Sequence, residues 1–255
     1  MFSARKLLVS VVLTFGLLSL HPDVFDLTPP PGRMQKLPQV TLWVWERPEN
    51  LSSIDPSMTA IATLERTLVL GRTMSIVPRR QFYIYPSQAR RIAVVRIEAP
   101  GTIAAGLEPA VTDAVVDAAG PGVAALQIDF DARESQRGFY ADLLHDVRRR
   151  MPREMPLSMT ALASWCSNDD WIAALPVDEA VPMFFRMEPG RRSARPDIPE
   201  LRIREPLCVS SIGISTREPV SASLAGKRVY IFPDAGWHQD LPLLSSVRSQ
   251  QRIQP

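Results

Sequence analysis

The stretch VAALQIDFDA, residues 123–132, decides how the rest of the chain is read. It is an apolar run that ends in two aspartates, Asp129 and Asp131. A strand buried on both faces reads as a near-continuous hydrophobic run, and such strands belong to parallel sheets covered by helices. In those folds ligands bind beyond the carboxyl ends of the strands. The stretch therefore predicts a central parallel strand that carries two carboxylates to a functional rim.

The flanks repeat the alternation. Upstream, apolar residues at 107, 110, 111, 114, 115 and 118 recur with a helical period, and Gly120-Pro121-Gly122 ends that helix. Downstream, residues 134–151 carry one apolar stripe of Phe139, Leu143, Leu144 and Val147. Three arginines, 148–150, complement the carbonyl end of that helix. Further strands are predicted at 40–45, 91–98, 156–163, 179–185, 210–216 and 227–233. Residues 61–70 read as another strand, or as a short helix leading into one. Gly71-Arg72 predicts a tight turn, with 73–77 returning as a hairpin arm that 82–85 extend. Asn168 suits the cap of a short helix through Ala174, and Pro182 argues for a bulge in its strand. Eight strands with clear helices after the third and fourth predict an α/β fold, a (β/α)8 TIM-type barrel with some helices short or missing.

The chain has 255 residues, 45% of them hydrophobic and 22% charged, which suits one folded barrel and excludes wholesale disorder. With 29 basic against 27 acidic side chains, no strong electrostatic attraction to nucleic acid follows. Arg5 and Lys6 precede an apolar run at 7–20. That pattern reads as a signal peptide, or as an N-terminal anchor in the inner membrane if it stays uncleaved. The expected organisation is a leader at 1–20, a Pro-rich linker at 21–38, the barrel at 39–244 and a polar tail at 245–255. The expected location is the periplasm or the outside of the cell. Cys166 and Cys208 lack metal-site spacing; they read either as a disulfide or as two small buried hydrophobes.

Several fragments resemble the DUF3142 family of bacterial proteins of unknown function: LWVWERPENL (42–51), IAVVRIE (92–98), LQIDFDARESQRGFYADLLHDVRRRMP (126–152), LSMTALASWC (157–166), LPVDEAVPMFFRM (175–187) and RVYIFP (228–233). The resemblance implies a barrel related in outline to those of glycoside hydrolases, and no established activity.

Placed on such a barrel, Glu46, Glu98, Asp129, Asp131, Trp165, Arg186, Glu218 and Asp234 fall at or just past successive strand ends. Asp129 and Asp131 stand two residues apart and so share a side. Two neighbouring carboxylates resist joint ionisation, so one pKa is expected to rise, as a general acid requires. Glycoside hydrolysis needs a second carboxyl group as well. The candidate catalytic set is Asp131 as acid, Asp129 as its electrostatic partner, and Glu46, Glu98 or Glu218 as the second carboxylate. Trp165, Trp45, Arg186 and Asp234 are the candidate glycan-binding residues. The triplet Asp129, Asp131 and Glu134 is similar to the carboxylate ladder of chitinase-like barrels, with the glutamate one residue further on.

Structural readings stand beside these. Asp129 could serve only as a hydrogen-bond acceptor for Arg96, Asp131 only as a loop cap, and Glu46 and Glu98 only in ion pairs. His21, His145 and His238 do not cluster, and the Gly120 turn precedes a strand, so neither a metal, a catalytic triad nor a cofactor is expected. The competing function is a non-catalytic glycan-binding or envelope scaffold protein on a degenerate barrel.

Overall fold

The computed structural model describes residues 32–167, 169–185, 203–218 and 223–252. Among them run eleven strands: β1 (Val40–Val44), β2 (Glu49–Asn50), β3 (Thr59–Leu70), β4 (Met74–Pro78), β5 (Tyr83–Ile84), β6 (Arg91–Glu98), β7 (Val123–Asp129), β8 (Leu157–Leu162), β9 (Glu179–Met183), β10 (Ser211–Ser215) and β11 (Arg228–Phe232). Eight of these are parallel and close in the order β1-β3-β6-β7-β8-β9-β10-β11. The ring shuts at β1, where Leu42 is in register with Ile61 of β3 on one edge and with Ile231 of β11 on the other. The chain thus forms a closed (β/α)8-type barrel.

Five α-helices are described: α1 (Glu108–Val116), α2 (Arg137–Arg150), α3 (Ala163–Ser167), α4 (Trp237–Asp240) and α5 (Leu243–Arg252). The two long apolar stripes read from the sequence become α1 and α2, which bury Val111, Val115, Tyr140, Leu143 and Leu144 against the outer face of β6, β7 and β8. On the far side of the ring, Trp237, Leu244 and Val247 cover β1, β10 and β11. Strand alternation sends the other set of side chains inward. Trp43, Ala62, Val94, Ala125, Val181, Tyr230 and Phe232 fill the lumen as one cluster. Gly213 has its reason there: a Cβ would lie 3.1 Å from the Phe232 ring and 3.4 Å from Phe185.

Two details shape the carboxyl end. β3 and β6 slip register between Leu64 and Arg66, a bulge that reverses which residues of β3 face inward. Beyond it Leu68 and Leu70 join the outer core, while Thr67 and Val69 lie opposite Arg96 and Glu98. β4 then pairs antiparallel with residues 66–70 on the edge that β1 leaves at Val44, so the hairpin extends the wall above the end of β1.

Several expectations are corrected. Residues 82–85 do not lengthen the hairpin arm; β5 pairs in parallel with β2 in a separate two-stranded sheet, because Arg79 turns the chain back over the strand ends. The helix after β8 forms earlier than expected, as α3, and residues 171–174 make turns; Asn168 lies outside the described residues. Pro182 keeps regular register with Ala161 of β8, so no bulge forms there. Its missing N–H instead leaves β9 and β10 with one registered pair, Met183 with Gly213. Residues 245–252 belong to α5, not to a polar tail, since Leu244 and Val247 find apolar cover and Arg248 donates to Thr59 Oγ1 at 2.6 Å.

The expected linker also ends earlier than 38. A 3-10 turn at Arg33–Lys36 seats against the amino end of the barrel. Arg228 donates to the carbonyls of Met34, Leu37 and Pro38 at 2.6–3.0 Å, and it lies 3.4 Å from the buried carboxylate of Glu179. Tyr230 and Ser158 also donate to Glu179. Burial pushes the Glu179 carboxyl up, although Arg228 and these donors oppose the shift. Beside this plug, buried Asp178 accepts from Arg33, Arg148 and the N–H of Leu157. Residues 1–31, the expected leader and most of the expected linker, lie outside the described residues. Cys166 and Cys208 form a disulfide across 42 positions, which ties α3 to the segment before β10.

Asp178→Ala is expected to destabilise the protein by about 3–5 kcal/mol, because it leaves two buried guanidinium groups without their counter-charge. Arg33→Ala is expected to cost less, since Arg148 remains on the carboxylate. Urea unfolding of the native protein and both variants measures the difference.

Candidate functional site at the carboxyl rim

β7 carries the first aspartate into the lumen. Asp129 is 2% exposed and sits at the last position of the strand. Its Oδ2 accepts from Arg96 Nη1 on β6 at 2.8 Å, and its Oδ1 accepts from Thr160 Oγ1 on β8 at 2.8 Å. Both neighbouring strands therefore hold it. Arg96 also donates through Nε to Glu98 at 3.1 Å. Burial works against the charge on Arg96, but Asp129 and Glu98 outweigh it and raise its pKa. The structural reading of Asp129 as Arg96's partner is thus borne out.

Asp131 lies two residues beyond, exposed to solvent. The protein wall behind it still strips part of its hydration, and the charge of Asp129 adds to that; together they push its carboxyl above the usual range, with Arg96 opposing. Tyr140, fully buried behind β7, is pushed well above the usual phenol range by burial and then by the two aspartates. The rim therefore holds one braced aspartate, Asp129, and one solvent-facing aspartate that keeps its proton to higher pH, Asp131. That is the division of labour general acid catalysis uses.

The mouth between the strand ends is floored by aromatic rings. Trp43 and Phe232 lie with centroids 4.5 Å apart, Trp45 is 5.3 Å from Trp43, and Phe185 is 4.8 Å from Phe232. Trp43 is buried, whereas Trp45 and Phe185 are half-buried at the top of the stack. On the β11–β1–β3 arc, arginines close the strand ends. Arg47 donates to Glu49 and to the carbonyls of Pro233 and Asp234, and Arg79 donates to the carbonyls of Val44, Leu64 and Arg47.

The other sequence-selected residues fall as follows. Glu46 is exposed but occupied, since its Oε1 accepts the N–H groups of Arg80 and Gln81 and so holds the loop after β4. Glu98 is half exposed and bound to Arg96. Glu218 is exposed in the turn after β10. Asp234 is exposed past β11, 3.6 Å from Arg217. β11 stands four places from β7 in the ring, so Asp234 lies across the mouth from Asp131. Trp165 is a correction: it is 3% exposed on α3 and meets Trp171 edge-to-face in the core outside the barrel. Its strand ends at Leu162, and the helical turn swings the ring outward and away from the mouth. Glu134 begins the 3-10 turn before α2 and is exposed. Arg186 lies outside the described residues.

Sequence reasoning missed Thr160, Arg79 and Gln136. The last is buried, and its amide donates to the carbonyls of Ala99 and Gly101 while accepting the Arg133 N–H, which fastens the β7–α2 loop to the β6–α1 loop. No local pattern announces a glutamine with that task. Among the described residues no group of three or more His, Cys, Asp or Glu could hold a metal ion, and no helix is long and apolar enough to cross a membrane.

Fold and site together define a TIM-type barrel with an acidic, aromatic-floored carboxyl rim. Residues 90–184, from the start of β6 through β9, match the family described as a domain of unknown function, DUF3142. No curated protein matches the sequence. Among solved structures, the chitinase domain of the spore coat protein CotE from Clostridium difficile is similar at 13% identity and a TM-score of 0.38. The match covers 56% of this chain and 48% of that one, so the chain spans about half the length of that structure.

Asp131→Asn tests the electrostatics independently of any substrate. A carboxyl whose folded-state pKa is raised favours the fold below its unfolded pKa and loses that contribution as pH rises through the folded value. The variant is therefore expected to gain stability over the native protein near neutral pH, and the two are expected to converge below about pH 4. Thermal melts across that range measure it; a difference that stays constant with pH contradicts the assignment.

Proposed function

We propose that the carboxyl end of this barrel binds a carbohydrate and hydrolyses a glycosidic bond, with Asp131 as general acid. The observation that carries the proposal is the pairing of an exposed, proton-retaining Asp131 with a buried Asp129 fixed by Arg96 and Thr160. Partial burial and, after it, the neighbouring Asp129 raise the Asp131 carboxyl, which favours the protonated form that a general acid needs. Trp45 and Phe185 provide apolar faces of the kind on which sugar C–H patches rest.

The second carboxylate comes from the opposite arc of the ring. Glu218 in the turn after β10 and Asp234 past β11 are the groups assigned to position or activate water.

A second reading, a non-catalytic glycan-binding or envelope scaffold, draws on Arg96, which engages both Asp129 and Glu98 and so neutralises part of the rim. In either reading the protein works outside the cytoplasm. Residues 1–20 act as leader or as inner-membrane anchor, and the Cys166–Cys208 disulfide suits an oxidising compartment.

Asp131→Asn is expected to lower glycan hydrolysis by roughly 10²–10⁴-fold, the usual contribution of a positioned acid. Trp45→Ala is expected to weaken binding while leaving Asp131 in place. Release of reducing ends from a glycan panel reads the first effect, and affinity electrophoresis reads the second. Unchanged hydrolysis in Asp131→Asn removes it from the acid role. Binding without any hydrolysis in the native protein selects the scaffold.

A further inference from the structure

Beside the rim, the β6–α1 and β7–α2 loops enclose a cleft of about 410 Å³. That volume falls within the span of small-ligand sites, about 300–1,000 Å³. We infer that this cleft is an additional carbohydrate subsite, which seats one sugar ring of an oligosaccharide whose neighbouring ring lies at Asp131. The inference rests on the reading of the rim as a carbohydrate site and names where a longer chain would continue.

The lining argues for a neutral polyhydroxylated ligand. Ile103 and Phe139 supply half-buried apolar surface, while Thr102 and Ser135 supply hydroxyl groups that both donate and accept. Arg133 and Glu108 bring opposite charges to the same cleft, so neither an anion nor a cation is favoured overall. A charged pair with two hydroxyls around an apolar floor matches the alternation of O–H edges and C–H faces on a pyranose. The link to Asp131 is covalent and short, because Arg133 follows it by two residues on the same loop.

The cleft is also held in shape before any ligand arrives. Gln136 bonds the Ala99 and Gly101 carbonyls, and Arg133 donates to the Pro100 carbonyl at 2.8 Å, so both walls are fastened to each other. Such preorganisation reduces the ordering cost of binding. Gly101 lines the cleft, and a Cβ built on it meets nothing within 4 Å. A bulky side chain there has space to stand, and that space is the one a sugar would use.

The test is titration calorimetry of the full chain with soluble hexasaccharides of β-1,4-linked glucose, N-acetylglucosamine and mannose, and with the corresponding disaccharides. The native protein is expected to bind a hexasaccharide more tightly than its disaccharide. Gly101→Phe, checked by its circular dichroism, is expected to weaken the hexasaccharide about tenfold and to leave the disaccharide unchanged. Should Gly101→Phe fail to fold, the double change Thr102→Ala and Ser135→Ala decides in the same way. Native binding that none of these variants alters overturns the subsite and leaves the rim reading standing. A native protein that binds no sugar in the panel overturns both.

Discussion

β1 is hydrogen-bonded along both of its edges, to β3 and to β11, and that closure is the constraint on which the rest of the molecule depends. A closed ring has no free edge among its eight strands, and it divides every strand's side chains into two populations. The outward set needs helices for cover, which α1 and α2 give to β6, β7 and β8. The inward set must fill a cylinder with no help from outside. It does so with Trp43, Tyr230 and Phe232, with Gly213 kept small where two rings converge.

The two ends of that cylinder solve the same problem differently. At the amino end, residues 33–38 serve as a stopper, and Arg228 uses its guanidinium to satisfy their carbonyls while standing beside Glu179. The buried Glu179 and Asp178 there each stand beside arginine, away from solvent. At the carboxyl end, the aromatic stack closes the lumen but remains half open at Trp45 and Phe185. Charges there are only partly matched: Arg96 serves two carboxylates, and Asp131 is left with a raised pKa and access to solvent. Incomplete compensation near water is what separates a site from a structural network.

Much of this was legible along the chain. The eight strands were readable because parallel strands buried on both sides must be largely apolar, as residues 123–126 and 128 of β7 are. α1 and α2 were readable because one face meets the barrel and the other meets water. Asp129 and Asp131 were readable as a pair because strand alternation puts them on one side. Trp165 was misread, since its place just past a strand end implied the mouth, whereas the α3 turn rotates it into the outer core. For Glu46 the sequence suggested a catalytic carboxylate or an ion pair; the amides that in fact take it up come from Arg80 and Gln81, more than thirty positions away.

Hydrophobic periodicity and strand alternation are local properties, and they alone determined the barrel, its main helices and the acidic tip of β7. Which carboxylates are neutralised was decided only in three dimensions. Arg96 reaches Asp129 across a strand pair, Thr160 reaches it from the other side, and a one-residue bulge in β3 sets which side chains stand over the mouth. The physical reason is range. Burial patterns are written in neighbours along the chain, while a pKa depends on the few charges and the amount of water within several ångströms, and those come from wherever the fold brings them.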